Sequence, residues 1–153
     1  MREALLEAKK AASKREVPVG AVLVYENKII ARAHNLVEKN KDASAHAELL
    51  CMKKGALVLG NWRLLNTTLY CTLEPCAMCA GGMLLSRIGR LVYGARDLRH
   101  GADGSVFAVL TREHPIHSFS VERGVCGDEA KELLQTFFQR RRKEKDELCT
   151  KNS

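Results

Sequence analysis

At 153 residues, with 46% hydrophobic content and six cysteines, the chain is long enough to bury a core without disulfide staples, and one domain over residues 1–153 accounts for all of it. No apolar run approaches the ~20 residues of a membrane span and the first residues hold no apolar signal segment, so an integral membrane protein is excluded and a cytoplasmic one is expected. The formal charge of +7, from 25 Lys and Arg against 18 Asp and Glu, suggests a polyanionic partner, with the densest basic run at Arg140, Arg141, Arg142 and Lys143.

Residues 1–14 read as a charged amphipathic helix, acidic as well as basic. Residues 16–25 run from a loop into a buried strand, a turn follows at 26–28, and 29–34 return, which predicts a hairpin. Residues 35–43 are polar and irregular and deliver the chain to a helix starting near His46, closed by Gly55 as a left-handed cap. Gly60-Asn61 makes a turn before an apolar, β-branched strand at 67–73. Pro75 opens the next helix from its first position, since its missing N–H would be an orphan there. That helix runs to about Arg87, and Ala80, Gly81 and Gly82 would let another backbone pack close. A short strand at 90–94 completes a parallel crossover unit. Residues 95–105 form a shaped loop, 105–110 a short helix, and 119–122 a last strand. From Asp128, Ala130, Leu133, Leu134, Phe137 and Phe138 recur at helical spacing, so the final helix packs one stripe on the sheet. The expected architecture is a layered α/β domain with a mixed sheet of about five strands.

Cys76 and Cys79, three apart, share one face of a helix's first turn, where the helix dipole lowers thiol pKa values and favours the thiolates that metals bind. His46 and Glu48 stand at the start of a second helix. Side chains in a first turn lean back over the N-terminus, so two helix starts can converge on one ion. One histidine and two thiolates give three ligands, and a tetrahedral zinc then keeps its fourth position for water, which is a catalytic count. Glu48, two residues from the histidine, is placed to carry protons without binding the metal. A closed structural site would need a fourth ligand; His34, His100 and Cys71 are candidates without a sequence-local reason. Cys51, Cys71, Cys126 and Cys149 read as small hydrophobes.

The pattern His46-x-Glu48 with Pro75-Cys76-x-x-Cys79 is the signature of zinc nucleobase deaminases. It is joined by residues 16–21 (E-V-P-V-G-A), 33–35 (A-H-N), 68–76, 86–90 (S-R-I-G-R), 94–97 (G-A-R-D) and Phe137-Phe138. On these the chain resembles the cytidine-deaminase-like superfamily and, within it, the bacterial tRNA-specific adenosine deaminases, over nearly its whole length. The resemblance implies a layered α/β/α fold and hydrolytic conversion of adenosine to inosine at the wobble position (34) of tRNA anticodons, by a homodimer holding one Zn2+ per subunit. His46, Cys76 and Cys79 would hold zinc, and Glu48 would shuttle protons. Asn35 would hydrogen-bond the base, Val17 and Ala47 would line its pocket, and Asp97 would contact the ribose, whose 2′-hydroxyl separates RNA from DNA. For Arg140, Arg141 and Arg142 the expectation is RNA contact through a basic helix end. Ser44 and the loop at 112–117 depart from the family's common pattern. A deaminase of a free base or nucleotide, of the guanine or deoxycytidylate type, carries the same zinc motifs and stands as the alternative.

Overall fold

The computed structural model describes residues 1–151. Helix α1 (Arg2–Ser13) leads into strands β1 (Gly20–Tyr25) and β2 (Lys28–His34), an antiparallel pair. Their hairpin is tight because Glu26 and Asn27 both take positive φ, 47° and 60°, the geometry that matches the strands' right-handed twist. A register shift follows between Leu23 and Val24. Strand β3 (Thr68–Leu73) pairs antiparallel with the other edge of β1, β4 (Arg90–Ala95) runs parallel to β3, and β5 (Ser120–Glu122) parallel to β4. The order β2-β1-β3-β4-β5 makes the five-stranded mixed sheet that the sequence leads one to expect.

Both faces of the sheet are covered. Helices α3 (Ala47–Leu59) and α4 (Ala77–Ser86) lie on one, α1 and α5 (Gly127–Lys151) on the other. Period-two alternation along β1 decides which residue meets which layer. Leu23 faces α3, where it joins Cys51, Met52, Leu69, Cys79, Met83, Leu91 and Tyr93 in the main core. Gly20 points to α1 so closely that a Cβ there would lie 2.1 Å from the Ala4 carbonyl oxygen. Leu5, Ala95 and Ala130 form a smaller cluster under α1 and α5. Among the described residues no helix is long and apolar enough to cross a membrane.

Several local expectations are corrected by tertiary contacts. Gly55 does not end α3; the helix continues to Leu59 and stops at Gly60, whose φ is +61°. Gly55 is a packing glycine, since its Cβ would sit 2.2 Å from Leu23 Cδ2. The stretch at 35–43 contains a one-turn helix, α2 (Val37–Asn40), whose first N–H groups are satisfied from far away: Glu38 and Lys39 donate to the buried Glu16 carboxylate at 3.1 and 2.8 Å. Pro75 precedes the helix instead of opening it, and Cys76 is the N-cap, with extended backbone. Gly82 admits the Leu49 and Met52 side chains of α3 and not another backbone, and Gly81 faces open space. Residues 105–110 are irregular, held by a bridge between Asp103 and Ala108 in place of the expected helix. Only Ala130 of the α5 stripe is buried, with Leu133, Leu134 and Phe137 half-buried and Phe138 38% exposed. The second half of α5 lines a groove, with Glu144 paired to Arg15 beyond the end of α1.

Candidate active site

Two helix starts meet at one point. His46 is the N-cap of α3 and Cys76 the N-cap of α4, both with extended backbone and neither side chain used for capping. Both side chains are therefore free to turn outward past the helix ends, and Cys79, one turn into α4, completes the group. His46 Nδ1 lies 3.6 Å from Cys76 Sγ and 3.5 Å from Cys79 Sγ, and all three ligand atoms fall within 4.8 Å of one another. A tetrahedral zinc with Zn–S of about 2.3 Å and Zn–N of about 2.05 Å requires S···N separations of about 3.6 Å. The donor set and its spacing thus fit zinc with a fourth position left over. The thiols are unequal. Cys76 is lowered to about 4, chiefly by the Cys79 hydrogen bond and then against its own burial by His46. The same contact pushes Cys79 up, and Cys76 raises His46.

Beneath this triangle Glu48 is 3% exposed. Burial pushes its carboxyl up to about 7, opposed by its own backbone N–H, by His46 and by a hydrogen bond to Cys79. Proton transfer near neutral pH favours a group with such a value. Asn35, also buried, accepts the Ala47 N–H on Oδ1 at 2.9 Å. Only an oxygen can take that backbone proton, so the amide orientation is fixed and Nδ2 is left for another partner.

The sequence-predicted residues gather around a cavity of about 1240 Å³. Val17, Asn35, His46, Asp97, Arg141 and Arg142 lie on its wall, while Ala47, Glu48, Cys76 and Cys79 are off it, Ala47, Glu48 and Cys79 being buried. Asp97 is held in place: Oδ1 accepts the N–H groups of Arg99 and His100 at 2.9 and 3.2 Å. Arg140 is not part of the wall; it turns to Glu144, which also takes Arg15 at 2.8 Å and Arg141 at 3.5 Å. Cations dominate the lining, with Arg15, Arg96, Arg99, Lys131, Arg141, Arg142 and Lys145 against Glu16, Glu38, Asp97 and Glu144.

Sequence reasoning missed most of one wall. Leu134, Phe138 and Leu148 of α5 line the cavity, although Leu134 and Phe138 recur at a helical period that reads as a core stripe. It also gave no role to Glu74, whose signal was present: a carboxylate set directly before Pro75 and Cys76, between a strand and a helix.

Residues 1–95 match the family model described as the cytidine and deoxycytidylate deaminase zinc-binding region. A tRNA-specific adenosine deaminase of Bacillus subtilis (strain 168) is 48% identical over 145 residues, covering 95% of this chain and 90% of that protein. The chloroplastic tRNA(adenine(34)) deaminase of Arabidopsis thaliana is 49% identical over 157 residues, 92% of this chain, but the match spans only 12% of that much longer protein. Among solved structures, one from work on A-to-I editing by tRNA:A34 deaminases superposes with a TM-score of 0.84 at 40% identity, over 88% of this chain and 97% of that one. A guanine deaminase of Nitrosomonas europaea, TM-score 0.72 over 88% of this chain and 80% of that one, shares the fold at 24% identity. The chain belongs to the cytidine and deoxycytidylate deaminase zinc-binding family and, within it, to the tRNA-specific adenosine deaminases.

Proposed function

We propose that this protein hydrolytically deaminates adenosine to inosine at the wobble position (34) of tRNA anticodons, releasing ammonia, as a single zinc-dependent domain working in the cytoplasm as a homodimer. The observation that carries the substrate class is the cavity. Small-molecule sites run to about 300–1,000 Å³ and enclose the ligand, whereas this groove is larger, open and lined by an excess of cations. It suits an anticodon stem-loop with one base turned in.

His46, Cys76 and Cys79 would hold one Zn2+ per subunit. When bound, the ion supplies Lewis acidity that makes hydroxide available near neutral pH, a water's pKa falling to about 7. Glu48 removes a proton from the attacking water, delivers it to N1 of adenine as C6 is attacked, and then passes a second proton to the amino group leaving C6. Water is consumed, and inosine and ammonia are formed. The buried setting of Glu48 keeps bulk water from competing for these protons. Asn35 presents Nδ2 to the base, since Oδ1 already takes the Ala47 N–H. Val17 and Ala47 shape the base pocket, and Asp97 accepts from the ribose 2′-hydroxyl. Extruding the base costs a few kcal/mol, less from a loop than from a duplex.

Arg140, Arg141 and Arg142 are proposed to meet RNA phosphates, with Arg141 and Arg142 on the groove and Arg140 drawn aside by Glu144. Replacing Arg141 and Arg142 by glutamine should reduce the slope of log K against log salt by roughly 1.4–1.8, at 0.7–0.9 per phosphate contact. Binding titrations from low to moderate salt read this directly, and an unchanged slope would take α5 out of the interface.

The deciding experiment is inosine formation in an anticodon stem-loop with A at the wobble position, beside free adenosine, cytidine and guanine. Inosine in the RNA alone is expected. Turnover of a free base or nucleoside alone would overturn the substrate and keep the metal chemistry.

A further inference from the structure

Glu74 is a fully buried carboxylate beside the metal cradle that the proposed chemistry leaves without a task. It stands between β3 and Cys76 with its side chain 0% exposed. A carboxylate in that position is costly unless donors surround it, and here the hydrogen-bond donors come from residues 97–105, with Arg96 Nε 4.0 Å from Oε2. Oε2 accepts the Asp97 N–H at 3.0 Å and the Ser105 hydroxyl, and Oε1 accepts the N–H groups of Asp103 and Ser105 at 2.9 and 3.3 Å. The loop wraps so closely that a Cβ on Gly101 would lie 2.4 Å from Glu74 Cδ and 2.5 Å from the Asp97 carbonyl oxygen. It is tied a second time to the metal-binding segment: Ala102 N–H donates to the Pro75 carbonyl at 2.8 Å, and Gly101 bridges to Cys76. The outer side of the same loop carries Asp97, Leu98, Arg99 and His100 on the groove wall that His46 shares.

We propose that Glu74 is the positioning residue that fixes the 97–105 loop against the metal-binding helix and thereby sets where the groove rim meets RNA. This rests on the RNA-deaminase reading above. Glu74 is outside the His46, Cys76 and Cys79 group and off the groove wall. Its effect is transmitted through Asp97 and its neighbours, so it governs capture of the polymer more than the chemical step. Glutamine in its place keeps the length but turns an NH2 toward backbone N–H donors, which releases one side of the loop.

The test compares wild type, Glu74→Gln and Ser105→Ala on the stem-loop substrate, with zinc per chain and amide hydrogen exchange measured on each. For Glu74→Gln, KM should rise roughly 10- to 100-fold, the scale of losing hydrogen bonds to a charged group. Its kcat should change by less than about threefold, separating capture from chemistry. Zinc content should match wild type, and exchange should accelerate at the amides of Asp97, Asp103 and Ser105 while α4 keeps its protection. Ser105→Ala, which removes a single donor, should raise KM less and in the same direction. Unchanged KM in both variants, or loss of zinc and kcat with KM intact, would overturn the proposal and make Glu74 a support for Cys76 alone. If Glu74→Gln does not fold, Ser105→Ala decides: wild-type KM and exchange overturn the inference, and a raised KM with faster exchange upholds it. A wild type that never deaminates RNA brings down the functional reading and this inference with it, whereas an active wild type beside wild-type-like variants brings down the inference alone.

Discussion

Glu48→Gln is expected to lower deamination of the stem-loop by about 10⁴-fold, the upper end of what general acid–base catalysis contributes, with no change in zinc content and little in melting temperature. The size follows from the proposed mechanism, in which Glu48 would handle both protons, so that its loss would leave attack at C6 and departure of ammonia without assistance. The small structural cost follows from the site. Glu48 is 3% exposed and burial pushes its carboxyl up to about 7, so a neutral side chain of the same shape is tolerated there. Single-turnover rates, metal analysis and a thermal melt on one preparation would check all three parts. Residual activity within tenfold of wild type, with zinc bound, would remove Glu48 from the chemistry and favour a zinc-stabilised RNA-binding protein.

The second large effect is expected from Cys76→Ala, which should abolish both zinc retention and activity while leaving the chain folded. Cys76 is half-buried at the edge of the main core, its Sγ 3.6 Å from His46 Nδ1, whereas Leu23, Leu69, Met83, Leu91 and Tyr93 at the centre of that core are fully buried. The expected result would separate the protein from small zinc domains in which metal binding is folding itself. A saturating ion still stabilises what it binds: at a thousand times Kd the gain is about 4 kcal/mol, enough for a rise in Tm on the order of 10 °C in a domain of this size. Zinc should therefore shift the melt of wild-type apoprotein and leave that of Cys76→Ala in place. A variant that melts without cooperativity would show that the cradle is part of the folding core.

What could be read in the chain is what short-range chemistry writes into it. The H-x-E and P-C-x-x-C spacings were legible because ligand geometry at a helix start depends on residues two and three apart. The hairpin and the β3-α4-β4 crossover were legible because strand alternation and turn residues are local as well. Errors came where a distant partner decides. Gly55 carries the mark of a helix cap and is instead a gap for Leu23, and α2 exists because Glu16, more than twenty residues upstream, satisfies its N–H groups. The α5 stripe obeys its period, but only Ala130 of it is buried, and Leu134 and Phe138 become wall instead of core.

The sequence alone thus picked out the candidate donor set, the carboxylate beside it, the hairpin and the parallel crossover, since each is a matter of residue type at short spacing. Only the tertiary structure decided that the two helix starts stand 3.5–3.6 Å apart at their ligand atoms, that a basic helix from the far end of the chain closes one side of the groove, and that Glu74 ties the rim to the metal end. The physical reason is that burial, register and distance between segments are set by packing the whole chain at once. No local pattern encodes which surfaces that packing leaves open.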